Sequence, residues 1–170
     1  MLQTNAAQDG GGAASMRQLL RLCLWDLYAG CRAAARRLPQ VASNAADADW
    51  RAEVGALPEA ARLRAQRMHA VMTAHFGARA DDEGPGNLWM QGILDDAERD
   101  TRTIPQGRLL DLAMIGAVRK AIAAELASIR TAKAIAIRLG HDQALQALAV
   151  NEAELRGDDG TLDQRLTVLA

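Results

Sequence analysis

The sequence feature that most constrains the fold is the segment from Leu109 to Leu139, in which apolar residues recur every three or four positions. This spacing places them on one face of an α-helix, which makes a turn every 3.6 residues. Gly140 is suited to end the helix, because glycine readily adopts the left-handed conformation found at helix ends. A long helix with one apolar face predicts a helical bundle. The predicted face comprises Ile115, Val118, Ile122, Leu126 and Ile129.

The same periodicity predicts four further helices, one of them short. We expect Pro39 to end the first helix within about one turn and Pro58 to kink the second. The sequence therefore predicts an all-α fold, a four-helix bundle with an additional short helix. The predicted helices run from about Ser15 to Leu38, Asp49 to His75, Leu88 to Asp100, and from Asp142 onward. The apolar face of the first comprises Leu20, Leu24, Leu27, Cys31, Ala34 and Leu38.

Composition agrees with one helical domain of 170 residues. Hydrophobic residues make up 49% of the chain, but only 3% of residues are aromatic, and alanine and leucine are strong helix formers. The net charge of −1 argues against nucleic acid as a partner, and no apolar run is long enough to predict a membrane span. We predict a flexible glycine-rich tail over residues 1–15 and a bundle over 16–170. No secretory pattern is recognisable, which predicts a cytoplasmic protein with reduced thiols.

Some acidic residues coincide with the predicted apolar faces. Glu125 lies between Ile122 and Ile129, and Asp96 follows Ile93 at helical spacing. Glu152 and Glu154 flank Leu155, and the pattern does not decide which of them turns inward. Carboxylates from several helices that converge in a bundle core typically bind metal. The alternative is that these acids lie at the rim or pair with basic side chains, for which Glu125 has nearby candidates in Arg119, Lys120 and Lys133.

The other polar residues form no recognised catalytic motif. His69, His75 and His141 lack the paired spacing of zinc ligands, and Cys31 on an apolar face is typical of a small core residue. One further face of the first helix combines arginines with two aromatic residues. It is a solvated face, a protein interface or a stacking surface for nucleic acid. This face comprises Arg17, Arg21, Trp25, Tyr28, Arg32 and Arg36.

Four segments of the chain carry a resemblance to a known family, namely LWDLYAGCRAAARRLPQVASNA, MQGILDDAERD, DLAMIGAVRKAIAAELASIRTAKAIAIRLG and ALQALAVNEAELRGDDGTLDQRLTVLA. The first is similar to the opening helix of the YciF-like family of ferritin-like bacterial stress proteins. The other three resemble later motifs of the same family. The resemblance runs in order from about Met16 to Ala170. It implies a ferritin-like bundle, a homodimer, and an ancestor that bound two irons through carboxylates.

This chain departs from the family pattern at the metal ligands. Cys31 replaces the glutamate of the first helix, and of the family's later acids only Asp96, Glu125 and Glu154 remain. The resemblance therefore implies a vestigial metal site of Asp96, Glu125 and Glu154 beside Cys31. Three carboxylates are fewer than a di-iron centre requires. We predict no cofactor, the alternative being one weakly bound iron or manganese ion.

These departures favour a degenerate, non-enzymatic stress-response protein that acts through protein–protein contacts, as a homodimer or with an unknown protein partner. The competing hypothesis is an iron-dependent oxidase or peroxide-detoxifying protein with a reduced carboxylate site. If no metal binds, Glu125→Leu is expected to be neutral or stabilising, because it removes a buried charge.

Overall fold

The structure, a computed structural model, describes residues 6–79 and 86–170. This part of the chain contains five α-helices and no β-strand. The all-α prediction is therefore confirmed. Four helices are long and α3 is short, as the periodicity indicated. The helices are α1 (Ala6–Asn44), α2 (Ala48–Phe76), α3 (Leu88–Thr103), α4 (Arg108–Leu139) and α5 (Asp142–Leu169).

The ends of α1 differ most from the sequence prediction. The helix begins at Ala6, so the predicted start near Ser15 is too late. The added segment contains three consecutive glycines, each about 1 kcal/mol less favourable in a helix than alanine, so local propensity did not predict this extension. The helix also continues past Pro39 to Asn44, because a proline removes only one backbone hydrogen bond. The predicted tail of residues 1–15 lies partly in α1, and residues 1–5 lie outside the described residues.

Helices α1, α2, α5 and α4 form the bundle, each antiparallel to its neighbours, and α3 packs outside against α1 and α4. Arg17, early in α1, donates to the carbonyl oxygen of His75 at the end of α2. Arg108, at the start of α4, donates to the carbonyl oxygen of Leu169 at the end of α5. These contacts fix the direction of both helix pairs. Side chains from the middle of four helices therefore meet in one core.

The core contains the predicted apolar face of α1 without exception. On α4 the prediction holds except at Leu126, which is only partly buried. Trp25 and Tyr28 are also buried, so the predicted surface of arginines and aromatic residues on α1 is wrong for its two aromatic members. The reason is the close packing of α2, where the ring of His69 lies 5.3 Å from the Tyr28 ring.

A buried carboxylate fixes the turn between α1 and α2. Asp111, in the first turn of α4, accepts hydrogen bonds from the backbone N–H groups of Ala46 at 2.9 Å and Asp47 at 2.8 Å. Asp47 in turn caps α2 by accepting from the N–H of Trp50. Both interactions satisfy backbone donors that have no partner inside a helix. The turn is thus connected directly to α4.

A histidine caps α5 at the other end of the bundle. His141 Nδ1 accepts a hydrogen bond from the backbone N–H of Ala144 at 3.3 Å. The His141 ring lies 4.8 Å from the ring of His75 and stacks on Phe76 at 5.5 Å. Burial lowers the pKa of His141, and the neighbouring His75 and Arg17 lower it further, while Asp142 opposes them. The folded protein therefore favours the neutral imidazole.

We expect the melting temperature to fall on acidification from neutral pH to about pH 5.5. The pKa of His141 is lower in the folded protein than its ordinary value of 6.5, so this histidine stabilises the fold at pH above 6.5. The stabilisation is lost as the pH falls through the pKa of the folded state. Protonated Nδ1 also cannot accept the hydrogen bond from Ala144. His141→Asn keeps a capping acceptor without this titration, so thermal unfolding should depend less on pH. If His141→Asn left the pH dependence of the melting temperature as unchanged as the control His69→Asn does, the pH dependence would not come from His141.

Candidate functional site

Four polar side chains from four helices meet in the middle of the bundle. They are Cys31 of α1, Arg64 of α2, Glu125 of α4 and Asp158 of α5, and we refer to them as the core polar cluster. Buried polar groups in an apolar interior are costly unless they are paired. The contacts of this cluster therefore determine what the core can do chemically.

Cys31 and Glu125 form the fully buried half of the cluster. The Cys31 Sγ donates a hydrogen bond to Glu125 Oε1 at 3.1 Å, and the two residues are 2% and 4% exposed. Each lies where helical spacing places it, Cys31 on the apolar face of α1 and Glu125 between Ile122 and Ile129. The sequence prediction that these two residues lie together in the interior agrees with this geometry.

The sequence analysis missed two members of the cluster, Arg64 and its partner Asp158. Arg64 is the more buried of the two. It is 4% exposed, and its Nη1 donates to Asp158 Oδ2 at 3.0 Å. Its Nε is buried and has no hydrogen-bond partner among the residues that the structure describes. The signal was present in the sequence, since Arg64 follows Ala61 by three residues and precedes Met68 by four on the apolar face of α2. An arginine at that position has to bring its charge into the core.

The charges of the cluster partly compensate one another. Burial raises the pKa of Glu125, while the positive charge of Arg64 and the hydrogen bond from Cys31 act in the opposite direction. Burial raises the pKa of the Cys31 thiol well above its usual range, and the neighbouring Glu125 raises it further. The thiol therefore stays protonated and serves as a hydrogen-bond donor. A neutral buried thiol is a poor nucleophile and a poor metal ligand.

A small cavity of about 30 Å³ lies beside the cluster. Arg64 and Glu125 are its polar lining, and the remaining walls are apolar side chains of α1, α2, α3 and α4. About 10–15 Å³ is enough for one water molecule in a polar site. The cavity thus has room for ordered water close to the two charged residues, but not for a larger organic ligand.

Asp96 does not join the cluster, so its predicted inward position is wrong. Its side chain is 62% exposed and pairs with Arg99 at 2.8 Å. The buried face of α3 consists of Met90, Leu94 and Ala97, one residue later than the predicted face. One residue corresponds to about 100° of rotation around a helix, which is enough to turn Asp96 into solvent.

Glu154 also pairs outside the cluster. It accepts two hydrogen bonds from Arg67, one of them at 2.8 Å, between α2 and α5. Glu152 is the more buried of the two candidate acids on α5. Hydrogen bonds from Lys133 and Arg156 lower its pKa to about 2. Both glutamates thus belong to ion pairs, the alternative that the sequence left open.

The core residues do not fit a di-iron centre. Within residues 6–79 and 86–170, no three histidine, cysteine or acidic side chains are grouped so that they hold a metal ion. The core polar cluster offers one fully buried carboxylate, one partly exposed carboxylate that already pairs with Arg64, and one protonated thiol, beside a guanidinium that repels cations. Di-metal bundles instead use several carboxylates from facing helices together with histidines.

The two thiols should differ sharply in reactivity. Cys23 is half-buried, and its pKa is raised by burial and by Asp26, whereas Cys31 is fully buried against Glu125. With an alkylating reagent under native conditions, we expect slow labelling of Cys23 and labelling of Cys31 only at the rate of unfolding. Mass spectrometry of the digested protein distinguishes the sites, and Cys23→Ser is the control. Rapid labelling of Cys31 would contradict a protonated, enclosed thiol.

The fold and core define a class of all-α bundle proteins, and comparison with known proteins identifies the family. The model of a family described as a domain of unknown function, DUF892, matches residues 15–170, so the chain belongs to that family. The predicted YciF-like membership is confirmed. A comparison with curated protein sequences finds no significant match. In the described part of the chain, none of the helices has the length and apolar character needed to cross a membrane.

Two solved structures are similar to this one. The E. coli stress protein YciF is 19% identical, with a TM-score of 0.83 over 91% of this chain and 96% of that one. YcfI, a candidate structural protein from Rhodopseudomonas palustris, is 23% identical, with a TM-score of 0.81 over 87% and 92% of the two chains. At these identities the likeness establishes a common fold.

Proposed function

We propose that this protein is a degenerate, non-catalytic ferritin-like bundle of the stress-response type that acts through protein–protein contacts. The observation that carries the proposal is the position of Arg64, whose guanidinium lies in the core with Glu125 and Asp158. In a carboxylate-bridged metal site, the cations compensate the buried negative charge. In this chain an internal side chain provides the positive charge. The core polar cluster then stabilises the fold, and the surface makes the contacts with other proteins.

Metal analysis and thermal unfolding test the non-catalytic part of the proposal. We expect the purified protein to contain far less than one equivalent of metal, and added Fe(II) or Mn(II) to leave its melting temperature unchanged. A metal that bound the folded state would raise the melting temperature by mass action. A rise in the wild-type protein that is lost in Glu125→Gln, but kept in the control Glu154→Gln, would overturn the proposal in favour of an iron-dependent activity.

We further propose that the protein forms a homodimer. Leu19 and Leu22 of α1 lie outside its buried apolar face and are each about half-exposed, at 49% and 50%. Light scattering at roughly 100 µM protein should give the mass of two chains, because association depends on protomer concentration. Leu22→Glu should weaken the dimer more than Leu109→Glu, which changes an exposed leucine on α4. A monomer at that concentration would contradict the homodimer.

A further inference from the structure

A concave groove of about 560 Å³ lies on the outer side of the α1–α2 pair. Its polar walls are Arg32 and Arg36 from α1 and Arg62, Gln66 and His69 from α2. Alanines of both helices and the Tyr28 ring form its floor. Small side chains on two facing helices leave space between the longer ones, and this produces the concavity. We refer to it as the arginine groove.

The arginine groove carries positive charge that the surrounding protein does not neutralise. Among residues 6–79 and 86–170, no carboxylate lines it. The Arg32 guanidinium lies over the Tyr28 ring at 5.4 Å and donates to the Tyr28 hydroxyl at 3.2 Å. Within the described residues, Arg36 makes neither a hydrogen bond nor an ion pair, and only Arg62 is paired, with Glu59 at 2.7 Å. A protein of net charge −1 thus concentrates cations at one concave site.

Most other arginines of the helical surfaces contact acids. Arg37, the residue next to Arg36, pairs with both Asp95 and Glu98. Arg165 pairs with Asp49 and Glu53 at the far end of the bundle. Against this background of paired arginines, Arg32 and Arg36 of the groove lack an anionic partner within the described chain. Charge complementarity therefore indicates an anion from outside.

We infer that the arginine groove binds a small organic phosphate. Guanidinium groups present parallel N–H donors that match the oxygen atoms of phosphate. A volume of about 560 Å³ lies within the usual range of 300–1,000 Å³ for small-molecule sites, and the alanine floor offers an apolar surface to the organic part. The net charge of −1 disfavours a long polyanion, which requires an extended basic surface. The site is separate from the core polar cluster and goes beyond the proposed function.

Calorimetric titration of the full chain tests this inference with adenosine 5′-monophosphate and glucose 6-phosphate as probes. We expect at least one ester to bind, inorganic phosphate to bind more weakly, and adenosine not to bind. Arg32→Gln and Arg36→Gln should each weaken binding about tenfold, equivalent to about 1.4 kcal/mol. The matched control is Arg138→Gln, an exposed arginine at the end of α4. All three positions are outside the apolar core, so circular dichroism should show unchanged folding.

Three kinds of result would overturn the inference. The first is that no binding is specific to the groove, either because neither phosphate ester binds or because Arg138→Gln weakens binding as much as the groove variants do. The second is binding of a short DNA duplex that depends on Arg36 while the esters do not bind, which would assign the groove to nucleic acid. The third is a dimer mass in light scattering that falls to the monomer mass in Arg36→Gln, which would show that a second copy covers the groove.

Discussion

Replacing Arg64 with methionine should lower the free energy of unfolding by about 3 kcal/mol, because it leaves the buried Glu125 carboxylate without its cation. For a domain of this size that corresponds to a fall of roughly 6–12 °C in melting temperature. Removal of the guanidinium also removes the contribution that lowers the pKa of Glu125, so this pKa should rise further. A carboxyl whose pKa is raised in the folded state destabilises the fold at pH above that pKa. This destabilisation becomes smaller as the pH falls. The effect should therefore be smaller in mildly acidic buffer.

Glu125→Leu should destabilise the protein to a similar extent. The sequence alone indicated a neutral or stabilising effect, but Arg64 changes this expectation. Without Glu125 the buried guanidinium keeps, within the described part of the chain, only Asp158 as its acidic partner, which is itself partly exposed. Removal of one member of a buried charge pair commonly costs about 3–5 kcal/mol.

The double variant Arg64→Met/Glu125→Leu should recover most of the stability that each single variant loses, since no buried charge is stranded. Chemical denaturation of all four proteins gives the coupling energy directly. Arg119→Met is the control, because Arg119 pairs at the surface with Asp159 and Asp163 and should cost at most about 1 kcal/mol. Additive losses in the double variant would show that Arg64 does not compensate Glu125.

Asp111→Ala is expected to have the second large effect, a loss of about 2–4 kcal/mol. The substitution leaves the part-buried backbone N–H groups of Ala46 and Asp47 without their acceptors, and an unsatisfied donor that is shielded from water costs about 1–3 kcal/mol. Asp111→Asn keeps one carbonyl oxygen as an acceptor, so it should lose roughly half as much. Denaturant unfolding measures both variants.

The control for Asp111 is Asp163→Ala, at a surface acid that is 61% exposed and pairs with Arg119. Its loss should be within about 0.5 kcal/mol. If Asp111→Ala were equally mild, the turn between α1 and α2 would not depend on the carboxylate. Solvent would then satisfy the two backbone donors.

Periodicity predicted the helices well because each apolar face is long enough to average out single exceptions. The limits of α4 and the stop at Gly140 followed directly from the pattern. In α3, with 16 residues, a face shifted by one position fitted the sequence nearly as well, and Asp96 was placed inside for that reason. Short helices have too few turns to fix their rotation.

The core polar cluster was predictable only in part. Glu125 interrupts the apolar face of α4, and Cys31 is part of the apolar face of α1. Local spacing therefore identified both residues. The pairing of Arg64 with Asp158 spans 94 positions and depends on the relative register of α2 and α5. Asp111 likewise contacts a turn 64 positions away. Local periodicity contains no information about such register.

The contribution of four separate helices to the core polar cluster has a consequence for partial unfolding. Detachment of α1, α2, α4 or α5 alone removes one partner from the cluster and leaves another charged or polar group unsatisfied. Openings that involve one helix are thereby penalised relative to complete unfolding. Backbone amides in the middle of all four helices should exchange with solvent deuterium as a single cooperative unit, while the short α3, outside the cluster, exchanges earlier.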